Sequence, residues 1–236
     1  MAQESPAKVR IKKINQVCIL VKDLELVAEN YWKILGIGPW SIFKWEAPMV
    51  YGRIYHGKPV WAKEKIALAQ VGDVQVELAQ VIDGPSIYGD WIEEHGEGLH
   101  HINFLLDTPD EYKNTIESLT SDGFEYLQSG RFGPPEKGYG YTYIDIPPLR
   151  TVFEPVHESK TDAGLVPIIF PDTKEESPAK VKVEAINQIA IAVKNVELVA
   201  ENYWKILGIG PWSIYNCEAP QIYDRKYNGK PVWSRE

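Results

Sequence analysis

The chain has 236 residues, 44% hydrophobic and 25% charged, enough to bury one large core or two smaller ones. A formal net charge of -8, with no Lys/Arg block, excludes nucleic acid as a main partner, because phosphate binding needs a basic surface. No apolar run approaches the roughly 20 residues of a bilayer span, residues 1–8 have no apolar core, and Cys18 and Cys217 have neither disulfide nor metal spacing, so a cytoplasmic protein without a membrane partner is expected.

In chain order, Lys13–Val21 alternates Gln16, Cys18 and Leu20 against Val17, Ile19 and Val21, which predicts a strand. Asp23 suits the N-cap of a helix from Leu24 to about Leu35; Leu24, Val27, Ala28, Tyr31 and Leu35 fall at helical spacing, and Gly36, Gly38 and Pro39 stop it. Trp40–Trp45 resumes a strand, the stretch Ala47–Trp61 is aromatic and turn-rich, and Ile66–Val71 and Val74–Val81 are strands joined at Gly72-Asp73.

After a connector the order begins again. The strand Leu99–Leu106 leads to Thr108-Pro109-Asp110-Glu111, where Thr108 caps a helix, Pro109 suits its first position and Glu111 completes a capping box. Gly123 stops that helix, and strands follow at Phe124–Leu127, Tyr141–Ile146 and Thr151–Val156. Residues 1–158 thus hold two βαβββ modules, at about 13–82 and 99–158, and 159–180 predict a linker.

Beyond it the chain repeats itself. Glu25–Ile42 recurs letter for letter as Glu197–Ile214, and Glu4–Val9 as Glu176–Val181, both at an offset of 172 residues (197 − 25 and 176 − 4). Residues 181–236 are therefore an incomplete repeat of the first module, with a strand expected from Ile186. It carries Gln188 in the place of Gln16 and no counterpart of Glu77, His101 or Glu154. An unpaired sheet edge and an exposed apolar helix face are expected there, and with them association with a second copy.

The fold class expected is α+β: paired βαβββ modules forming a cupped mixed sheet with helices on the outer face, plus a partial third module. Alternation decides what enters the cup. Gln16 lies opposite Val17 and Ile19, Glu77 opposite Val76 and Leu78, His101 opposite Ile102 and Phe104, and Glu154 opposite Phe153 and Pro155. Each apolar set can take the helix side, leaving one ligand-capable residue on each of four strands. On the same rule His100 faces the helices as a structural residue, and His56, His95 and His157 are expected at the surface. Trp40, Trp45, Tyr51, Tyr55, Trp61 and Trp91 read as core more readily than as a substrate wall.

These motifs carry a resemblance. Asn15-Gln16-Val17 through Asp23, with Tyr31-Trp32-Lys33-Ile34-Leu35-Gly36, resembles the first strand and helix of the vicinal oxygen chelate superfamily, which includes glyoxalase I, methylmalonyl-CoA epimerase, extradiol dioxygenases and bleomycin-resistance proteins. Val76-Glu77-Leu78, Leu99-His100-His101-Ile102-Asn103-Phe104 and Val152-Phe153-Glu154-Pro155 resemble its other three ligand strands. The similarity covers about residues 9–158 and again 181–236.

The resemblance implies that Gln16, Glu77, His101 and Glu154 hold a divalent ion, and oxygen and imidazole ligands suit Zn, Ni, Co or Mn. It also implies that Glu154 or Glu77 moves a proton on carbon next to a carbonyl or thioester, in an isomerase, epimerase or lyase acting on a small carbonyl or acyl substrate. One departure is noted: where epimerases place a second acidic base on the third strand, this chain has Lys65, with Glu64 one residue off and on the other face. Two further readings fit the same fold. One is a metal-free binding or resistance protein; the other is an extradiol-type dioxygenase, weakened by Gln16 standing where its iron site wants a histidine.

Overall fold

A computed structural model describes residues 4–134, 139–157, 165–172, 176–217 and 223–232. The first module runs β1 (Lys13–Leu20), α1 (Leu24–Asn30), β2 (Trp40–Trp45), a hairpin of β3 (Val50–Tyr55) and β4 (Lys58–Pro59), then β5 (Lys63–Val71) and β6 (Val74–Asp83). Asp23 caps α1 by accepting the Leu26 N–H at 3.0 Å, and the helix continues as a π-helical turn over Tyr31–Leu35. A further helix, α2 (Ile87–His95), capped by Ser86, leads into the second module. That module is β7 (Gly98–Leu106), α3 (Pro109–Ser121), β8 (Glu125–Phe132), β9 (Tyr139–Ile146) and β10 (Thr151–His157). The short strand β11 (Ile168–Phe170), the helix α4 (Val196–Leu207) and a small hairpin, β12 (Lys226–Tyr227) with β13 (Lys230–Pro231), follow.

One sheet carries eleven of these strands in the order β11-β2-β5-β6-β1-β7-β10-β9-β8-β3-β4. At its centre β1 runs parallel to β6 and antiparallel to β7, so the two modules pair within a single chain. The sheet curls far enough that β2 and β8, near opposite ends of this order, bring Trp45 and Phe132 to 5.1 Å between ring centres. A buried ion pair ties the same two ends: Arg53 on β3, which is hydrogen-bonded to β8, reaches Glu64 on β5 at 2.7 Å. Taking both charges out of water is costly, and the pair persists because each compensates the other.

The outer face is apolar and helix-covered. Leu24 and Ala28 of α1 pack with Val17, Val76, Leu78, Ala67 and Ala69, and on the second module Leu119 of α3 packs with Ile102, Phe104, Ile144 and Phe153. Phe104 and Phe153 stand 5.1 Å apart between ring centres and are almost wholly buried, each contributing roughly 1.5–3 kcal/mol from burial alone.

Several expectations need correction. The turn-rich stretch at 47–61 contains β3, because Val50 and Arg53 turn inward and its backbone finds a partner in β8. The connector before Leu99 contains α2. The segment read as a linker contains β11, which pairs with β2. The strand expected from Ile186 does not form: residues 185–193 have no regular structure, their side chains lying on the outer face of the main sheet instead. Nor is the apolar face of α4 exposed, since Val199, Tyr203 and Leu207 are buried against the second module.

Candidate functional site

Register builds the cup floor. Cys18 on β1 stands level with Glu77 on β6 and with His101 on β7, while Gln16 stands level with Gln75 and with Asn103. β10, parallel to β7, sets Glu154 beside Asn103. Two short rows result: Glu77, Cys18 and His101, and next to it Gln75, Gln16, Asn103 and Glu154. All four residues expected from the sequence, Gln16, Glu77, His101 and Glu154, are therefore on the concave side, and all are buried.

A cavity of about 370 Å³ opens above them. Gln16, Glu77, Asn103 and Glu154 form its polar end, and Phe43, Trp45, Tyr88, Phe132, Tyr141 and Tyr143 are among the aromatic walls. His101 lies just under the floor and is fully buried. The hydroxyls of Tyr88 and Tyr143 bond each other at 2.6 Å, and burial pushes both phenols well up, so they remain neutral.

The polar groups are held in a definite order. Gln16 donates its amide N–H to Gln75 at 2.8 Å, leaving its carbonyl oxygen as the remaining ligand atom. The Cys18 thiol donates to Glu77 Oε1 at 3.4 Å. Asn103 donates to Glu154 Oε2 at 2.7 Å and is itself steadied by Asn15 at 3.2 Å. His101 Nε2 lies 3.2 Å from that same Glu154 oxygen, near enough for charge attraction but off-line for a good hydrogen bond, and no other polar group among the described residues bonds it. A fully buried imidazole nitrogen in poorly aligned contact with one carboxylate and near a second is a donor set that a cation would complete. One ligand atom each from Cys18, Glu77 and His101 lie within 4.8 Å of one another.

Electrostatics follow from burial. Desolvation pushes the Glu77 carboxyl up to about 7; His101 opposes that rise and Glu154 adds to it. For His101, burial pulls downward, but the charge of Glu154, the close contact of its oxygen with Nε2 and the charge of Glu77 outweigh it and the imidazole is raised. Burial also lifts the Cys18 thiol well above its usual value, helped by Glu77, so it is a neutral donor.

His100 is where strict alternation fails. The β1–β7 ladder shifts by one residue there, with Cys18 paired to His101 and Ile19 to Leu99. Such a bulge turns two neighbouring side chains toward the same side. His100 accordingly leaves the helix layer and sits against Tyr88 and Trp91, each 5.1 Å away between ring centres, with its Nδ1 2.8 Å from His101 Nδ1. Burial and the neighbouring His101 push His100 well down, so it is neutral. His101 can donate through Nδ1 to His100 while the proton that Glu154 favours sits on Nε2, and only loss of that second proton would free the Nε2 lone pair for a cation.

The expectation for Lys65 and Glu64 also reverses. Lys65 points outward to Glu25 on α1 at 2.6 Å, whereas Glu64 shares the cup-facing side with Ile66 and Leu68 and is neutralised by Arg53. Of the aromatic group, Trp45 lines the cavity, Trp40 is fully buried in the outer core and Trp61 is 60% exposed. Cys18 and Asn103 were visible in the alternation beside Gln16 and His101, but their partners Glu77 and Glu154 are remote in sequence.

Comparison with known proteins bears on the scaffold. A family profile described as the glyoxalase/bleomycin resistance protein/dioxygenase superfamily matches residues 15–143, more than half of the chain. The chain belongs to the glyoxalase/bleomycin resistance protein/dioxygenase superfamily. No curated protein matches its sequence. Among solved structures, the hypothetical protein BH1468 from Bacillus halodurans C-125 is 18% identical, with a TM-score of 0.42 over 64% of this chain and 96% of that one. Methylmalonyl-CoA epimerase from Mycobacterium tuberculosis is 17% identical, with a TM-score of 0.43 over 65% of this chain and 92% of that one. A variant of 4-hydroxymandelate synthase from Streptomyces coelicolor is 14% identical, with a TM-score of 0.45 over 72% of this chain and 45% of that one. The superfamily's own description spans enzymes and a resistance protein, so membership gives the scaffold and leaves the reaction to the site. Among the described residues, no helix is long and apolar enough to cross a membrane.

Proposed function

We propose that the chain is a divalent-metal-dependent enzyme that moves a proton on carbon next to a carbonyl or thioester, as an isomerase, epimerase or lyase. The observation that carries this reading is the buried Nε2 of His101, poorly aligned for a hydrogen bond to the carboxylate oxygen 3.2 Å away and close to a ligand atom of Glu77. Gln16, Glu77, His101 and Glu154 would hold the ion, and their oxygen and imidazole donors suit Zn, Ni, Co or Mn. Bound there, such an ion supplies Lewis-acid polarisation of a carbonyl oxygen.

The remaining work falls to side chains of this chain. The aromatic walls exclude water and orient a small carbonyl or acyl substrate. Of the two carboxylates, Glu77 is the better matched to proton transfer. Its hydrogen-bond partner is the neutral Cys18 thiol on one oxygen, which leaves the other oxygen to take and return a proton, a role worth roughly 10²–10⁴ in rate. Glu154 is held on one oxygen by Asn103 and is suited to positioning.

Metal content after reconstitution, together with solvent-deuterium incorporation into a panel of thioesters and α-hydroxy carbonyl compounds, tests the reading. Stoichiometric metal in the wild type, lost in His101→Ala and Glu154→Gln, and exchange lost in Glu77→Gln are expected. Metal well below stoichiometric under every condition would favour a binding or resistance protein. That second reading is supported by the aromatic cavity and by the contacts Gln16–Gln75, Cys18–Glu77 and Asn103–Glu154, which partly satisfy the floor without an ion.

A further inference from the structure

The opening residues of each copy clasp the helix of the other. Ser5 Oγ donates to the Trp204 carbonyl at 2.5 Å, and Ser177 Oγ makes the same bond to the Trp32 carbonyl. The Ile11 N–H donates to Leu207 O at 3.1 Å, and the Val183 N–H to Leu35 O at 2.9 Å. Gly208 lies under Val9 and Arg10, as Gly36 lies under Val181 and Lys182. Every member of the first set becomes a member of the second by the 172-residue offset, with the two copies exchanging roles. A contact made twice in opposite directions is the mark of an isologous, two-fold interface.

The surface between the two clasps is the apolar back of the cup. Ile14, Ile102 and Phe104 on the outer face of the sheet meet Ile189, Ile191 and α4 of the second copy. Side-chain surroundings are not identical at the two ends, since Val9 is buried and Val181 is 60% exposed. The backbone bonds are what repeat.

We propose that this outer face is a self-recognition surface whose partner is a second copy of the repeating unit, docked back to back by exchange of residues 4–11. Here residues 176–209 fill the partner's place within the same chain. The arrangement leaves both cups facing outward, so it is independent of the chemistry proposed for the cavity.

Displacing the internal partner in the full chain tests this. Val183→Asp with Leu207→Asp weakens both clasps, and light scattering should then show twice the single-chain mass, where the wild type shows one. Hydrogen exchange at Ile11 supplies the second readout. Its amide, bonded to Leu207 O in the wild type, should lose protection in the dilute variant and regain it as concentration rises, when Leu35 O of another chain accepts it. A variant of single-chain mass whose sheet stays protected, while Ile11 exchanges freely at every concentration, overturns the proposal. Should the double Asp variant lose its whole protected core, Val183→Ala with Leu207→Ala is read in the same way. Collapse of that gentler variant also overturns the proposal, because residues 176–209 would then belong to the unit's own fold.

Discussion

Replacing Glu77 by Gln should stabilise the metal-free protein at neutral and alkaline pH. Burial raises this carboxyl from 4.5 to about 7 in the folded chain, so folding there works against ionisation. At about 1.4 kcal/mol per pKa unit, that difference corresponds to a penalty of about 3 kcal/mol once Glu77 is fully ionised. The sign follows from proton counting. Between about 4.5 and 7 the folded state binds more protons than the unfolded state, so stability falls as pH rises through this window. Gln keeps the shape and the burial without the charge, and its advantage should be absent near pH 4, grow through the window and level off above it. Urea unfolding of chelator-treated wild type and Glu77→Gln between pH 4 and 9 measures the difference directly, with shifts common to both chains cancelling. A wild type more stable than the variant at pH 8, or a difference indifferent to pH, would refute the reasoning about desolvation. Added divalent metal should reverse the ranking, because only the wild type keeps the carboxylate to bind it.

Other outcomes follow from the same structure. Arg53→Ala alone should cost about 3–5 kcal/mol in urea unfolding, since it leaves Glu64 buried without a counter-charge, whereas Arg53→Met with Glu64→Leu should cost far less; equal losses would mean that the pair does more than neutralise itself. Gly84→Ala should cost about 1–3 kcal/mol, because φ is +87° and an added Cβ would lie 2.5 Å from the Trp61 carbonyl oxygen; a midpoint unchanged from wild type would show that the turn relaxes. A thiol-labelling titration of the native protein should modify Cys217 and spare Cys18, which is buried with a raised thiol, and denaturant should expose both.

Much of the architecture was legible in the residues themselves. The period-two runs around Gln16, Glu77, His101 and Glu154 decided which face each strand gives to the cup, and Asp23, Thr108 and the glycines marked the helix ends. These are local properties, set by backbone geometry and the need to bury apolar side chains, and a letter-for-letter repeat needs no structure to be seen. The tertiary structure decided whatever depends on contacts between distant segments. A one-residue bulge moved His100 out of the helix layer and set it against His101, because ladder register depends on the partner strand as well as on alternation within one strand. Glu64 and Lys65 took the faces opposite to those expected, for Arg53 reaches Glu64 from a hairpin that crosses to the other module. Residues 185–193 share much of the first strand's pattern yet form no strand, since they lie against an apolar sheet back instead of beside a strand edge with open hydrogen-bonding groups.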